Sequence, residues 1–295
     1  MRHLSECLAC RSKKLELLYA ATFSGLAQDA PLYFLNNRSK VAHGRITRCQ
    51  TCGFCCTNPQ FEVDEYRQIY ATIPRFMTES NPLANAESIR FKRLVKLVSS
   101  YIARPQRLLD LGCGDGKFLS MMPSDERFGY EVGDGNMITE GDVHILTGDF
   151  LHRIGHPPLL KASFDVITAW DVFEHLPNLF EYVEAIAYLL RPKGYLFVTL
   201  PNADSLIAQL SGERWNMILL EHLWYFGPKT LERFLAAHGF LLVKNGHMPF
   251  DVTINHLIKR LAQTYGQNFS PAPKPIGDLV LSLPVGLMYG VYQRH

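Results

Sequence analysis

The chain has 295 residues, of which 47% are hydrophobic, enough for a substantial core and consistent with one main domain plus an appendage. A formal net charge of +2, without basic runs interleaved with aromatic residues, argues against nucleic acid as a substrate. The amino terminus has no apolar run of the secretory type. The apolar stretch at 278–292 is broken by Pro284 and two glycines and is too short for a bilayer. We therefore expect a core strand there and a cytoplasmic protein without a transmembrane segment, while a peripheral membrane contact stays open.

Most of the seven cysteines lie near the amino terminus, in two C-x2-C pairs. The four residues of these pairs are Cys7, Cys10, Cys49 and Cys52. Each pair presents two thiolates to one metal, and two pairs match a closed, tetrahedral, structural zinc site. The pairs are farther apart than usual, which predicts extra structure between them. Cys55 or Cys56 is an alternative ligand, although we expect both to be small apolar residues of a strand.

The segment "ESIRFKRLVKLVSSYI" predicts a helix that packs on the following sheet. Its expected apolar face consists of Ile89, Leu94, Leu97, Val98 and Ile102. We predict a zinc-ribbon-like domain over 1–65, a linker and this leading helix over 66–104, and a cofactor-binding domain over 105–295. Within the last domain, residues 250–282 are expected to form a lid or an insertion.

From Arg107 onward, short apolar strands alternate with helices: "RLLDL", "RFGYEV", "VHIL", "FDVITA" and "GYLFVTL" are the predicted strands. A helix from about 178 to 190 is expected to end at Gly194. Alternation of this kind predicts an α/β, Rossmann-like, mostly parallel sheet with helices on both faces. Ligands of such sheets bind beyond the carboxyl ends of the strands.

A glycine turn follows the first of these strands. Asp110 precedes glycines at 112, 114 and 116, a spacing of G-x-G-x-G. Glycines permit positive φ angles and a close approach of a ligand to the backbone, and the following helix amino terminus favours a nucleotide-type cofactor. The dinucleotide pattern is G-x-G-x-x-G, so this spacing counts against NAD.

The segment "LDLGCGDG" resembles the first motif of the class I S-adenosylmethionine-dependent methyltransferases. The resemblance implies a seven-stranded sheet and a cofactor site that includes Asp110, Gly112, Gly114 and Gly116.

The same resemblance assigns further cofactor-binding residues. It places Glu131 on the ribose hydroxyls and Asp149 on the adenine amino group, with Phe150 and Trp170 also at the cofactor. The loop after the second strand is rich in glycine, so the usual helix there is expected to be poor or absent, and Asp134 lies near Glu131.

A narrower resemblance covers most of the chain. Cys52, Gly53, Asn58 and Pro59, together with "RWNMILLEHLWYFGPKTLERFLAAHGF", resemble a methyltransferase group with an amino-terminal zinc ribbon that includes sugar C-methyltransferases. It implies that "GLMYGVYQRH" is the last strand of the sheet and runs antiparallel. Some members have a large additional carboxyl-terminal domain, for which this chain is expected to end too early.

Methyl transfer from a sulfonium requires positioning and a base for the acceptor proton. His222, paired with Glu221, is the first candidate, because it follows the fifth strand and its helix and because histidine titrates near neutrality. The alternative is that His222 only packs a lid. His175 is the second candidate, with Glu174 and Asp171 as helpers, or else it makes a capping contact for the next helix. We expect the histidines of "HRIGH" to be solvated.

We expect S-adenosylmethionine-dependent methyl transfer to a small-molecule acceptor, with Zn2+ as a structural cofactor. Sugars, sugar nucleotides or related secondary metabolites are the leading acceptors, methylated on oxygen or carbon. O-methylation of a quinol or lipid is the alternative, because the Glu174–His175 pair also resembles quinone-biosynthesis methyltransferases. A non-catalytic binding module with a vestigial cofactor fold is the second alternative.

Overall fold

The computed structural model describes residues 1–34, 42–72, 84–132, 138–140, 142–264 and 270–295, which form two β-sheets and eight α-helices. The strands are β1 (Leu15–Tyr19), β2 (Ile46–Cys49), β3 (Cys55–Thr57), β4 (Arg107–Leu111), β5 (Glu126–Glu131), β6 (Ile138–Glu140), β7 (Val143–Thr147), β8 (Phe164–Trp170), β9 (Leu190–Pro201), β10 (Trp224–Tyr225), β11 (Phe240–Thr253) and β12 (Val280–Arg294). The helices are α1 (Val63–Thr72), α2 (Ala84–Ser99), α3 (Lys117–Met121), α4 (Phe150–Arg153), α5 (Leu179–Leu189), α6 (Leu206–Ser211), α7 (Pro228–Ala236) and α8 (Ile254–Thr264).

The main sheet has the strand order β11-β12-β9-β8-β4-β5-β7-β6. The five strands from β9 to β7 in this order are parallel. β12 pairs antiparallel with β9 and with β11, which confirms the direction predicted for the last strand. Seven of the strands form the predicted Rossmann-like sheet. The short strand β6 adds an eighth at the edge, antiparallel to β7.

Helices cover both faces of this sheet. Side chains alternate between the two faces along a strand, so Leu108 and Leu109 of β4 join different core clusters. One cluster includes buried residues of α4, α5 and α7, and the other includes residues of α2 and α3. The sheet is therefore buried on both sides, as parallel sheets usually are.

The predicted leading helix is α2, and most of its predicted apolar face is confirmed. Leu94 and Val98 are fully buried, whereas Ile89 is 39% exposed. At about 100° per residue, Ile89 lies roughly 140° around the helix from Leu94, so it cannot share its face. The predicted end of α5 also differs: α5 ends at Leu189, and Gly194 lies inside β9.

Two predicted features fall partly outside the described residues. Asp134 is not described, and the described part of its loop contains β6 rather than a helix. Residues 250–282 contain the outer ends of β11 and β12, which pair with each other, and helix α8. Among the described residues, no helix is both long and apolar enough to cross a membrane.

The small sheet has the strand order β1-β2-β3-β10. Its first three strands lie within the predicted zinc-ribbon-like domain, but β10 comes from the predicted cofactor-binding domain. In addition to the β3–β10 pairing, Thr57 donates from its backbone N–H to Leu223 O (2.9 Å) and from Oγ1 to His222 O (2.9 Å). The amino-terminal segment is thus hydrogen-bonded directly to the segment that contains His222.

Candidate active site

A cavity of about 770 Å³ opens at the carboxyl ends of the central strands. This is where α/β sheets bind their ligands. Its wall combines the glycine turn, the ends of β5, β7 and β8, and residues of α1. Of the sequence-predicted site residues, those that line it are Gly112, Glu131, Asp149, Trp170 and His175.

The glycine turn requires glycine for two reasons. Gly112, Gly114 and Gly116 have φ angles of 69°, 56° and 77°, which L side chains rarely adopt. A Cβ on Gly112 would also lie 2.6 Å from Val172 Cγ2. The backbone is therefore bare at this side of the cavity, and a ligand can approach it closely.

Asp110 lies behind the turn and is 2% exposed. Thr168 Oγ1 donates a hydrogen bond to its Oδ1 at 2.5 Å. Burial raises the pKa of Asp110 to about 8, and the nearby charge of Glu131 acts in the same direction, while the Thr168 hydrogen bond and Arg90 oppose the rise. The Asp110 carboxyl is therefore hydrogen-bonded to the neighbouring strand β8 and does not line the cavity.

Two carboxylates at the cavity wall belong to the residues that the resemblance assigns to the ribose and to the adenine of the cofactor. Glu131, at the end of β5, accepts a hydrogen bond from the backbone N–H of Gly114 at 2.8 Å. Asp149 follows β7 and caps α4, accepting from the backbone N–H groups of Leu151 (3.1 Å) and His152 (3.3 Å). Both carboxylates remain at the cavity wall.

The two aromatic residues predicted at the cofactor have different surroundings. Trp170 lines the cavity and packs edge-to-face against Phe118, with the ring centroids 5.3 Å apart. Phe150 is fully buried and stacks on Tyr182 at 5.3 Å. Its side chain lies behind the wall, which is formed by the neighbouring Leu151 and Tyr182.

Two arginines at the cavity were not predicted. Arg67 of α1 pairs with Asp149 (2.6 Å), and Arg90 of α2 pairs with Asp171 (2.6 Å). The sequence prediction assigned Arg67 to a linker. The helical spacing of Tyr66, Ile69 and Tyr70 in the same segment was the signal that this linker is a packed helix.

Asp171 lies immediately after β8 and has a φ of 55°, the left-handed region that few non-glycine residues adopt. Two hydrogen bonds with Thr199 hold Asp171 in this conformation. The Thr199 hydroxyl donates to Asp171 Oδ1 (2.7 Å), and the Asp171 backbone N–H donates to the Thr199 carbonyl (2.9 Å). Such strained positions cluster at functional sites. The positive φ redirects the chain into the turn that contains Glu174 and His175.

The structure brings the two predicted histidines together. The rings of His175 and His222 pack edge-to-face with their centroids 4.7 Å apart. His175 Nδ1 lies 3.1 Å from Glu221 O and 3.4 Å from the Tyr70 hydroxyl, and His222 Nδ1 lies 2.7 Å from Met217 O. His175 lines the cavity, whereas His222 is 5% exposed behind it.

Two glutamates accompany the histidines and are almost inaccessible to solvent. Glu174 is 1% exposed and Glu221 is 0% exposed. Burial raises the pKa of Glu174 well above its usual value, with the charge of Asp171 adding to the rise and Arg90 opposing it. Glu221 contacts His175 through its backbone carbonyl. His152 and His156, expected to be solvated, are both exposed.

The sulfur atoms of the two C-x2-C pairs meet in one cluster. Cys7 Sγ lies 3.6 Å from Cys52 Sγ, Cys10 Sγ lies 3.6 Å from Cys49 Sγ, and all four lie within 4.8 Å of one another. Zinc–sulfur bonds of about 2.3 Å place tetrahedral sulfurs about 3.8 Å apart. The donor set and its spacing therefore fit zinc. Cys55 does not belong to this cluster.

A family model described as a methyltransferase domain matches residues 85–245, which are 161 of the 295 residues. The chain therefore belongs to this methyltransferase domain family.

Curated relatives are more distant. The ubiquinone biosynthesis O-methyltransferase of Shewanella halifaxensis is 24% identical over 154 residues, covering 50% of this chain and 64% of that protein. The enzyme of the same name from Burkholderia thailandensis is 27% identical over 174 residues, which cover 53% of this chain and 72% of that protein. The chain thus matches somewhat less than two thirds of the length of the Shewanella protein.

Two of the solved structures that resemble the chain have TM-scores just below 0.5. The [4+2]-cyclase SpnF has a TM-score of 0.48 at 18% identity, over 76% of this chain and 87% of its own. A SAM-dependent methyltransferase from Archaeoglobus fulgidus has a TM-score of 0.47 at 19% identity, over 71% of this chain and 94% of its own.

Proposed function

We propose that this protein transfers a methyl group from S-adenosylmethionine to a small-molecule acceptor. The observation that carries the proposal is the cavity itself, which is lined by Gly112 of the glycine turn, Glu131 and Asp149 and also by His175. The first three residues suit a nucleoside-type cofactor, and His175 suits an acceptor that must lose a proton.

The residues at the cofactor side would bind and orient. The bare backbone at Gly112 permits close approach, Glu131 accepts from the ribose hydroxyls, and Asp149 accepts from the adenine amino group. Trp170 contributes an apolar wall. When bound, S-adenosylmethionine supplies a methyl group that already carries a good leaving group. The main tasks left to the protein are in-line positioning, which can provide a large part of the rate enhancement, and removal of the acceptor proton.

The histidines would receive the acceptor proton. The carbonyls of Glu221 and Met217 can only accept hydrogen bonds, so each neutral imidazole carries its proton on Nδ1 and its lone pair on Nε2. His175 lines the cavity, which supports it as the residue that contacts the acceptor, and His222 packs against the His175 ring. Glu221 orients His175 through its backbone carbonyl.

Two acceptor classes are each favoured by a different observation. The zinc-ribbon segment and the Glu221–His222 landmark favour a sugar, sugar nucleotide or related secondary metabolite, methylated on oxygen or on carbon. The relatives named ubiquinone biosynthesis O-methyltransferases favour a quinol or another phenolic hydroxyl. The cavity wall contributed by Tyr66, Tyr70 and Leu176 is compatible with a flat ring.

We further propose that the four-cysteine cluster holds one structural Zn2+. The spacing of the sulfurs supports this assignment, and a closed set of four thiolates leaves no position for substrate. The proposed domain division keeps residues 1–65 as the zinc-ribbon-like unit, with β10 as its fourth strand.

The test is an acceptor screen read by mass spectrometry for the addition of one methyl group. Sugar nucleotides, phenols and quinols form the panels, and S-adenosylmethionine is the donor. We expect one panel to yield a product, and His175→Gln to reduce turnover by about 100-fold or more, as expected when a general base is lost. His156→Gln, which alters an exposed histidine, is the matched control. Equal turnover of His175→Gln and the unmodified protein would contradict the assigned role.

A further inference from the structure

Glu174, His175 and His222 form a cluster whose composition differs from that of an ordinary hydrogen-bonded catalytic pair. One potential ligand atom from each residue lies within 4.8 Å of the other two. Glu174 and His175 belong to a single 3-10 turn after β8, and His222 lies just before β10. The backbone N–H of Leu223 donates to Glu174 O at 2.7 Å, which fixes the two segments against each other.

Both imidazoles are held in the orientation that metal-binding histidines usually have. Such histidines donate one ring N–H to a carbonyl or carboxylate and coordinate the ion through the other nitrogen. His175 Nδ1 lies 3.1 Å from Glu221 O, and His222 Nδ1 lies 2.7 Å from Met217 O. Two separate backbone carbonyls therefore select the same tautomer in two rings that are 4.7 Å apart.

The carboxyl group of Glu174 provides an independent observation. It is 1% exposed, and among the described residues no hydrogen-bond partner reaches its Oε2. A buried carboxylate is costly unless a proton, a paired charge or a metal ion neutralises it. Arg90, the nearby cation, is paired with Asp171 at 2.6 Å rather than with Glu174.

We propose that Glu174, His175 and His222 form a binding site for a divalent transition-metal ion at the acceptor end of the cavity. Two imidazole nitrogens and one carboxylate oxygen suit Zn2+, Fe2+, Co2+ or Mn2+ better than Mg2+ or Ca2+, which favour oxygen ligands. Three protein ligands leave positions open for a substrate, unlike the four thiolates of the ribbon.

Binding would require a small contraction of the cluster. Metal bonds of about 2.1 Å place neighbouring ligand atoms about 3 to 3.5 Å apart, whereas the atoms here lie within 4.8 Å of one another. A closure of about 1 Å is within the range of side-chain rotation. Because His175 lines the cavity, the open coordination positions would face the acceptor.

The catalytic consequence rests on the proposed methyltransferase function. A cation at this point would lower the pKa of an acceptor hydroxyl, whose proton would pass to solvent. The acceptor oxygen would then form the new O–C bond with its lone pair while the S–CH3 bond breaks, and the sulfonium would become a neutral thioether. With the cation bound, the two histidines act as ligands and the positive charge takes the place of the general base; without the cation, the imidazole of His175 is available to receive the acceptor proton, so His175→Gln lowers turnover in either state.

The experiment uses the full chain with its ribbon metal retained and Mn2+ alone as the probe, followed by electron paramagnetic resonance of the free ion. Mn2+ binds carboxylate ligands and has little affinity for thiolates, so the four-cysteine cluster should contribute little signal. We expect one equivalent bound per chain at micromolar Mn2+, and at least about tenfold weaker binding to Glu174→Gln and to His222→Gln. Glu181→Gln, at an exposed position of α5, is the matched control.

Two outcomes would overturn the proposal: no Mn2+ bound by the unmodified protein at millimolar concentration, or equal affinities of the unmodified protein and Glu174→Gln. A parallel titration with S-adenosylmethionine and a melting curve establish that the variants are folded. This titration also separates the two proposals. Mn2+ binding without S-adenosylmethionine binding contradicts the methyltransferase function and leaves the cation site intact, while the reverse result contradicts only the cation site.

Discussion

Asp110 occupies the junction between β4 and the glycine turn, and it illustrates how a single buried carboxyl group can couple stability to pH. Its carboxyl accepts a hydrogen bond from Thr168, and the residue is almost completely buried. Burial raises its pKa to about 8, from 3.8 for an unperturbed aspartate. The folded protein therefore binds a proton at this site that the unfolded chain releases above about pH 4.

This difference predicts a stability loss with rising pH. The contribution of the protonated carboxyl to folding is complete below about pH 4 and is lost as the pH rises to about 8, with a slope of at most about 1.4 kcal/mol per pH unit. Asp110→Asn replaces the protonated carboxyl with a neutral amide of the same shape. We expect the variant to gain a few kcal/mol relative to the unmodified protein between pH 5 and 8, measured by urea denaturation.

Asp115→Asn, at an exposed position in the same turn, serves as the control for this comparison. Its pH profile should follow that of the unmodified protein. If Asp110→Asn and the unmodified protein have parallel stability profiles from pH 5 to 8, then Asp110 is not protonated in the folded state.

The residues that could be predicted from sequence were those that belong to local patterns. The glycine turn, Glu131 at the end of its strand and Asp149 after the next strand are all defined by spacing along the chain. The pairing of His175 with His222, and of Arg67 with Asp149, depends on contacts between segments 47 and 82 residues apart. No local pattern encodes such distances.

At the scale of elements, the short strand β10 links the ribbon to the site. It pairs with β3 in the four-stranded sheet, and it directly follows His222 and Leu223. Trp224 of β10 stacks near Phe54 with ring centroids 6.3 Å apart, and its indole N–H donates to Leu176 O at 2.7 Å. The strand therefore contacts both the ribbon and the turn next to His175.

This link predicts that loss of the proposed zinc ion destabilises more than the amino-terminal segment. We expect Cys10→Ser to lose about one equivalent of zinc per chain, measured by elemental analysis, and to lower the melting temperature by at least about 5 °C. Cys55→Ser, outside the four-cysteine cluster, should keep the zinc. Unchanged zinc content in Cys10→Ser would refute the assignment of this ligand.

Some elements could be predicted from the sequence and others could not, for a physical reason. The alternating strands and α5 have strong apolar patterns, and the structure confirms them. β10 has two residues, and its pairing with β3 is set by tertiary contacts rather than by propensity. Most of helix α1 falls within the predicted linker, although its residues Tyr66 and Ile69 are both buried.

At the scale of the whole molecule, the strand order explains the position of the cavity. From β4 the chain builds the sheet in one direction through β5 and β7, then returns to place β8 and β9 on the other side. The switch lies between β4 and β8, and the ends of these strands supply the glycine turn, Trp170 and Asp171. Ligands of such sheets bind at the switch point, where the proposed cofactor and acceptor sides meet.

Binding of S-adenosylmethionine in this cavity can be measured directly by isothermal titration calorimetry. We predict one site per chain, at least about tenfold weaker binding to Glu131→Gln because a charged hydrogen-bond acceptor for the ribose is lost, and unchanged binding to Glu126→Gln at the exposed start of the same strand. No binding of S-adenosylmethionine to the unmodified protein at millimolar concentration would contradict the assignment of this cavity as its site, and equal affinity of Glu131→Gln would contradict the role given to Glu131.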